Sequence, residues 1–360
     1  MIYIGAEEII SPLGKSVEKN FSAILENRTG ISVADRAGFN GDSVYISNFL
    51  DLSEKNKFEN LIVAILDQVI IKIDERIVSS ARTIVLLSST KGDLDNNIND
   101  QFGKTILTLA TRYYLANQPI VVSNACISGV LAINTAGNFI KAGLYDHAIV
   151  IGCDLISDFV LFGFQSLFAI SSQPCMPFDA SRNGITMGEG CGVVVVSNSE
   201  VVFNEKPLKL LPGTSANDAN HISGPSRTGE GLYRSVKRTM EMNNLFSADI
   251  DFISAHGTGT IYNDEMESIA FDRLDLTHAP LNSLKGYFGH TLGAAGIIET
   301  AISMQMLRNQ ILIKSLGFEQ TGTSKELNII KENKPAELRM ILKTASGFGG
   351  GNASLLIQKP

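Results

Sequence analysis

The sequence predicts an α/β fold: a sheet covered by helices on both faces and assembled from two similar halves. Three observations carry that prediction. Short runs dense in β-branched residues alternate with longer helical segments. The alternation occurs twice along the chain. Each time it closes on a glycine-rich turn that leads into an apolar strand, GEGCGVVVVSN at 188–198 and GFGGGNASLLIQ at 347–358. At ~150 residues per domain, the 360 residues allow two domains or one large fold in two parts. A composition 44% hydrophobic and 19% charged excludes a disordered or collagenous chain. Net charge is −7 and no Lys/Arg block stands out, which argues against a nucleic-acid or anionic-membrane partner.

From the N-terminus, MIYIGAEEIISPLGK has no basic lead and reaches Glu7 and Glu8 early, so it does not read as a secretory signal. TIVLLS (83–88), PIVVSN (119–124), AIVIG (148–152) and VVVV (193–196) read as buried strands. Residues 59–72 and 127–141 read as the helices between them. After residue 200 the pattern restarts. KPLKLLPG is followed by 230–243, with Leu232, Val236 and Met240 on one helical face, then by DFISA and a helix from about 264. The seam at 197–209 is polar and short, so the expected units are 1–200 and 201–360, packed as one body. No apolar run reaches the ~18 residues of a membrane span; GAAGIIETAISMQML is interrupted by Glu299. A cytosolic chain with reduced thiols is expected.

The four cysteines, Cys126, Cys153, Cys175 and Cys191, fit neither a disulfide framework nor a CxxC metal cassette. Cys126 stands apart because it falls between a strand and the start of a helix that runs to Gly143. There, unpaired N–H groups and the helix dipole favour a thiolate and can stabilise an oxyanion. The other three read as packing. Of the five histidines, His147, His221, His256, His278 and His290, two sit in unusual turns. His256 opens HGTGT at a strand end, and His290 lies in KGYFGHTLGAAG between a glycine turn and a helix start.

These motifs resemble, in the same order and over nearly the whole chain, the β-ketoacyl-acyl carrier protein synthases of the thiolase superfamily. SPLG near the start, GFQSLFAIS (163–171) and PFDASRNGITMGEG (177–190) agree with the resemblance. It implies a thiolase-like layered αβαβα fold, with residues 1–200 carrying the nucleophilic cysteine and 201–360 the two histidines. Cys126 matches the acyl-accepting nucleophile of the elongating, Cys-His-His type. His256 and His290 match the pair that holds the malonyl thioester carbonyl and promotes decarboxylation. Lys285 matches the lysine supporting them, and Glu267 the acid bonded to that network. Phe348 matches the gate at the acyl pocket, its N–H forming the oxyanion hole with that of Cys126. Read without the resemblance, Lys285 also fits a solvated surface charge, and Glu267, beside Asp264 and Glu265, a helix surface. Asp179, Arg182 and Glu189 read as loop ties, and Asn124 and Ser128 as residues that order the cysteine turn.

The implied reaction is decarboxylative Claisen condensation of a Cys-bound acyl chain with malonyl-acyl carrier protein, in fatty-acid or polyketide/polyene-type synthesis. It requires no cofactor or metal of the chain itself, since the phosphopantetheine arm belongs to the carrier. Expected partners are the acyl carrier protein and a second copy or a paralogue. Between STKGDLDN (89–96) and Cys126 the chain is compact, with 101–118 largely one helix, where the family usually carries a longer excursion. That departure points to a specialised pathway. A chain-length-factor-like partner subunit without catalysis is the alternative, although such subunits usually lose the cysteine. A thiolase-like reaction is the third reading, disfavoured by the histidine pair.

Overall fold

In the computed structural model, which describes residues 1–50, 56–218 and 226–360, the β-branched runs all enter one sheet. Its strands are β1 (Tyr3–Ile10), β2 (Thr83–Ser88), β3 (Ile120–Val122), β4 (His147–Asp154) and β5 (Gly190–Ser197), then β6 (Leu208–Asn217), β7 (Phe252–Ser254), β8 (Leu281–Asn282), β9 (Met340–Ser346) and β10 (Gly351–Gln358). Their spatial order is β8-β7-β9-β10-β6-β1-β5-β4-β2-β3. The order is symmetric about its middle. On one side β3, β2 and β4 run parallel and β5 and β1 continue antiparallel; on the other β8, β7 and β9 run parallel and β10 and β6 continue antiparallel. Only a short antiparallel pairing, Tyr3 with Lys209 and Ile4 with Leu208, joins the two sets.

The helices are α1 (Val17–Leu25), α2 (Lys57–Ile70), α3 (Gly103–Arg112), α4 (Ser128–Lys141), α5 (Asp158–Ser166), α6 (Glu230–Met242), α7 (Ile261–Arg273), the single turn α8 (Lys285–Phe288) and α9 (Ala295–Asn309). Strand periodicity assigns them to layers. In β2, β4 and β5, Leu86, Val150 and Val194 face one core while Leu87, Ile151 and Val193 face another. The second core is closed by α2, packed on β1, β4 and β5. The first is shared: α4 touches β2 and β4 of one set and β6 and β10 of the other, and α9 likewise touches β4, β5, β7 and β9. Beyond the far set, α6 packs on β6 and β10. The result is a five-layer αβαβα arrangement, the fold class read from the sequence.

The middle layer is thin because α4 and α9 cross on glycine. A Cβ on Gly129 would lie 2.9 Å from Ile297 N and 3.0 Å from Gly293 O; one on Gly296 would lie 2.6 Å from Val130 N. The small residues of LGAAG therefore serve backbone-to-backbone approach.

Some boundaries depart from expectation. PIVVSN forms only the short strand β3 and is not buried, because it lies at the sheet edge, pairs β2 alone and leaves Ile120 39% exposed. Helix α7 begins at Ile261, not near 264, since the Thr260 hydroxyl accepts from Asn263 N–H and caps it. The helix in 101–118 is confined to α3, which packs back on α2 through Tyr113 Oη to Asp67 (2.7 Å) and Thr108 Oγ1 to Glu59 (2.9 Å). No described helix is long and apolar enough to cross a membrane.

The crossing makes a measurable contrast. Gly296→Ala should lower stability by ~1–3 kcal/mol in denaturant unfolding, because backbone must move to admit the methyl. Gly163→Ala, in α5 with open space around its Cβ position, should be neutral or stabilising by up to ~1 kcal/mol.

Candidate active site

The site is built where the two middle helices begin. Between β3 and α4 the chain turns through Ala125 in the left-handed region (φ 44°). The turn is fixed by Asn124 N–H donating to Ser128 Oγ (2.7 Å) and Ser128 Oγ donating to Ala125 O (2.6 Å). Asn124 and Ser128 thus order the loop as expected, and Cys126 is presented two residues before α4, buried to 7% exposure. Gly347 lets the turn after β9 close over it, since a Cβ there would lie 3.1 Å from Cys126 N. The backbone N–H groups of Phe348 and of Cys126 itself are directed at the thiol.

His256 follows β7, and its turn is held by two buried carboxylates from the first turns of α7. Glu267 accepts from His256 N–H (2.9 Å) and Gly257 N–H (2.6 Å), and Asp264 from Thr258 N–H (2.8 Å) and Gly259 N–H (3.1 Å). Burial, then the neighbouring Asp264, pushes the Glu267 carboxyl up to about 7. Lys285, on α8, is wholly buried. Its ammonium donates to His256 Nδ1 (3.3 Å), to His256 O (2.5 Å) and to Glu299 Oε1 (2.7 Å). His290 is reached through the turn before α9, where Leu292 N–H donates to its Nδ1 (3.0 Å).

Because both Nδ1 atoms accept, both imidazoles carry their proton on Nε2. Burial, followed by the charge of Lys285, holds each histidine well below the ordinary range, so both are neutral at pH 7. The rings lie 5.1 Å apart, nearly perpendicular, and a donor atom from each of Cys126, His256 and His290 falls within 4.8 Å of the others. Among the described residues, His290 Nε2 is buried without a partner. That trio is the one compact ligand-type cluster among the described residues, but the tautomers aim N–H donors, not lone pairs, into the shared space. A cavity of about 350 Å³ opens from it, lined by Cys126, His256, His290, Phe164, Met266 and Phe348. Phe348 stacks on Phe164 at 5.1 Å and remains 38% exposed.

The expected residues are therefore brought together, with corrections. Lys285 and Glu267 are not surface charges; both are buried. Glu267 bonds the backbone of His256 and Gly257, and the acid that pairs with Lys285 is Glu299. The thiolate expectation for Cys126 fails at rest: burial pushes the thiol up to about 11, against lowering by Lys285 and the N–H groups. Two participants were missed, Glu299 and Lys343, although each is a lone charge in an apolar run, which is the signal that could have found them. Asp179, Arg182 and Glu189 do tie loops: Asp179 accepts from Glu319 and Gln320 N–H, Arg182 bonds Gly322 O, and Glu189 pairs with Lys57. Cys153, Cys175 and Cys191 are buried and free. His147 bonds Ser197 Oγ (2.8 Å) away from the site, and His221 lies outside the described residues.

Residues 109–201 match the family described as beta-ketoacyl synthase, N-terminal domain, and 211–319 its C-terminal domain. A putative mitochondrial 3-oxoacyl-[acyl-carrier-protein] synthase of Schizosaccharomyces pombe is 27% identical over 97% of this chain and 97% of its own length. That alignment runs to 419 positions against 360 residues here, so the relative carries segments this chain lacks. The 3-oxoacyl-[acyl-carrier-protein] synthase 2 of Rhizobium meliloti is 32% identical over 70% of this chain and 63% of its own. Among solved structures, a ketosynthase in complex with its chain length factor from Xenorhabdus doucetiae superposes with a TM-score of 0.87 at 24% identity, covering 100% of this chain and 98% of that one.

The raised thiol has a direct test. Alkylation of Cys126 by iodoacetamide, followed by peptide mapping, should climb about tenfold per pH unit across pH 7–9 without a plateau. A plateau near neutrality would show a stable thiolate instead.

Proposed function

The chain belongs to the β-ketoacyl synthase family, and we propose that it is a 3-oxoacyl-acyl carrier protein synthase acting in fatty-acid or polyketide/polyene-type chain extension. One observation carries the reading: a buried thiol faces two neutral imidazoles, both with Nε2–H directed into one cavity. In the first half-reaction the Cys126 sulfur attacks the carrier-bound acyl carbonyl. The Cys126 and Phe348 N–H groups hold the oxyanion, and the carrier thiol leaves with the proton that Cys126 gives up. In the second, the malonyl thioester oxygen is held by His256 and His290. Its C–CO₂⁻ bond breaks, CO₂ leaves, and the electron pair forms an enolate that the two N–H donors stabilise. The enolate carbon attacks the Cys126 thioester, and the tetrahedral adduct expels the cysteine sulfur, which takes one proton from solvent. Lys285 holds His256 in the donating tautomer without touching the substrate.

We read residues 1–200 as the half that supplies the nucleophile and 201–360 as the half that supplies the histidines. Phe348, stacked on Phe164 and partly exposed, is read as the gate of the acyl cavity. The acyl carrier protein is the substrate-bearing partner. A second copy or a paralogue would meet the open edge at β3, near exposed Leu107 and Tyr114. The four unpaired thiols suit a reducing compartment such as the cytosol.

Incubation with acyl-acyl carrier protein should give an acyl adduct in intact mass that Cys126→Ala abolishes. His256→Ala and His290→Ala should still acylate but condense ~10²–10³-fold more slowly, each having lost one oxyanion donor. No adduct, with or without a co-expressed paralogue, would favour the non-catalytic chain-length-factor-like subunit.

A further inference from the structure

Beneath the histidines lies a buried charge cluster that the reaction steps above do not use in full. Glu299, on α9, receives a lysine on each carboxylate oxygen: Lys285 on Oε1 (2.7 Å) and Lys343, from β9, on Oε2 (2.5 Å). Both lysines have no exposed surface. Lys343 also donates to Ser254 O (3.2 Å) and Ala255 O (3.3 Å), the two carbonyls that immediately precede His256. An ammonium in a core strand is costly unless its bonds are filled, and here three acceptors fill them. A lysine at this point is not needed to hold β9, which already has β7 and β10 as neighbours.

We propose that Lys343 is a positioning residue for the condensing reaction, occupying one oxygen of Glu299 and the Ser254–Ala255 carbonyls so that Lys285 stays against His256 Nδ1. This rests on the functional reading above and adds a residue to it. The argument is geometric. Lys285 makes three bonds, of which the one to His256 Nδ1 is the longest. With Oε2 free, Glu299 could take Lys285 on both oxygens and draw it off the imidazole. With Lys343 in place that oxygen is occupied by a second ammonium, whose charge opposes the approach of Lys285 to it, and the strand end carrying His256 is pinned from the same ammonium.

The charges agree. Within the cluster, two ammoniums share the one Glu299 carboxylate. The charged or titratable groups near His256 are Lys285, Lys343, Glu299, Glu267, Asp264, His290 and Cys126. Burial alone would raise the Glu299 carboxyl, yet the two lysines hold it below the usual range. Burial, and then the Lys285 charge, holds Lys343 below the ordinary lysine range in spite of Glu299. Lys343 in turn acts on both histidines in the direction that keeps them neutral.

The test separates this role from a merely structural one. In protein with ¹⁵N-labelled histidine, Lys343→Met should raise the titration midpoint of His256 and loosen its Nε2–H tautomer. Lys343→Gln, which keeps donors but not charge, should raise the midpoint as well and serves if the Met variant does not fold. In the decarboxylation assay with malonyl-acyl carrier protein, the acid limb should move up by about one pH unit, because removing a cation makes protonation easier. Lys343→Arg should restore it. If both neutral variants leave the His256 titration and tautomer as in the parent protein, the proposal is overturned whatever their activity. Absence of any condensation product from the parent protein would instead overturn the functional reading, while the histidine titration still decides the role of Lys343.

Discussion

The arrangement depends on how closely two helix beginnings approach. Helices α4 and α9 meet where Gly129 faces Gly293 and Gly296, at distances that admit backbone and nothing more. Cys126 is the second residue before α4, and His290 lies in the turn ahead of α9. Whatever precedes these helices must therefore share one small space. The thiol and the imidazole come from opposite halves of the sequence, and the crossing makes them neighbours without a long loop. A larger residue at Gly129 or Gly296 would separate the helices and, with them, the groups that precede them.

That closeness sets the electrostatics. Near the crossing water is excluded, so every ionisable group is weighted toward its neutral form unless a partner opposes it. The histidines have no opposing carboxylate within bonding distance of their rings, and they stay neutral. Cys126 has helix-start N–H groups and a lysine in its favour, and burial still prevails at rest. In the proposed reaction the sulfur becomes reactive when a thioester arrives and its oxygen occupies the N–H groups, so the charge develops on an atom those donors can receive.

Much of this was legible in the chain itself. VVVV at 193–196 and TIVLLS declared the buried strands, and the turns around Cys126, His256 and His290 were distinctive enough to mark the site. Lys285 was named through the family resemblance of the turn that holds His290. Glu299 and Lys343 were not, because their meaning comes from register across layers: β9 must lie beside β7, and α9 above both, before a lone Lys and a lone Glu become a pair. Glu267 was named through the family resemblance, and its bonds run to backbone N–H groups, a distinction that a motif match does not carry. The edge position of β3 was equally hidden, since an apolar run of three residues reads the same in a centre strand as at a rim.

The buried carboxylates share one task, and this locates what can move. Asp154 accepts from Gly293 N–H (2.8 Å) behind His290, and from Ser89, Thr90 and Lys91 at the start of the compact segment before Cys126. Glu267 accepts from the N–H of His256, and Glu299 seats Lys285 beneath it. Each acid fixes the backbone or the support of one histidine. These acids are occupied by N–H and ammonium donors, and in the proposed reaction proton and enolate chemistry is left to the imidazoles and the thiol. Those bonds also leave the histidine side of the cavity rigid. The aromatic wall of the cavity is the more open one, where Phe348 leans on Phe164 from a glycine-rich turn and keeps part of its ring in solvent. In the proposed reaction, acyl-chain admission falls to that wall and the chemical step to the histidine side.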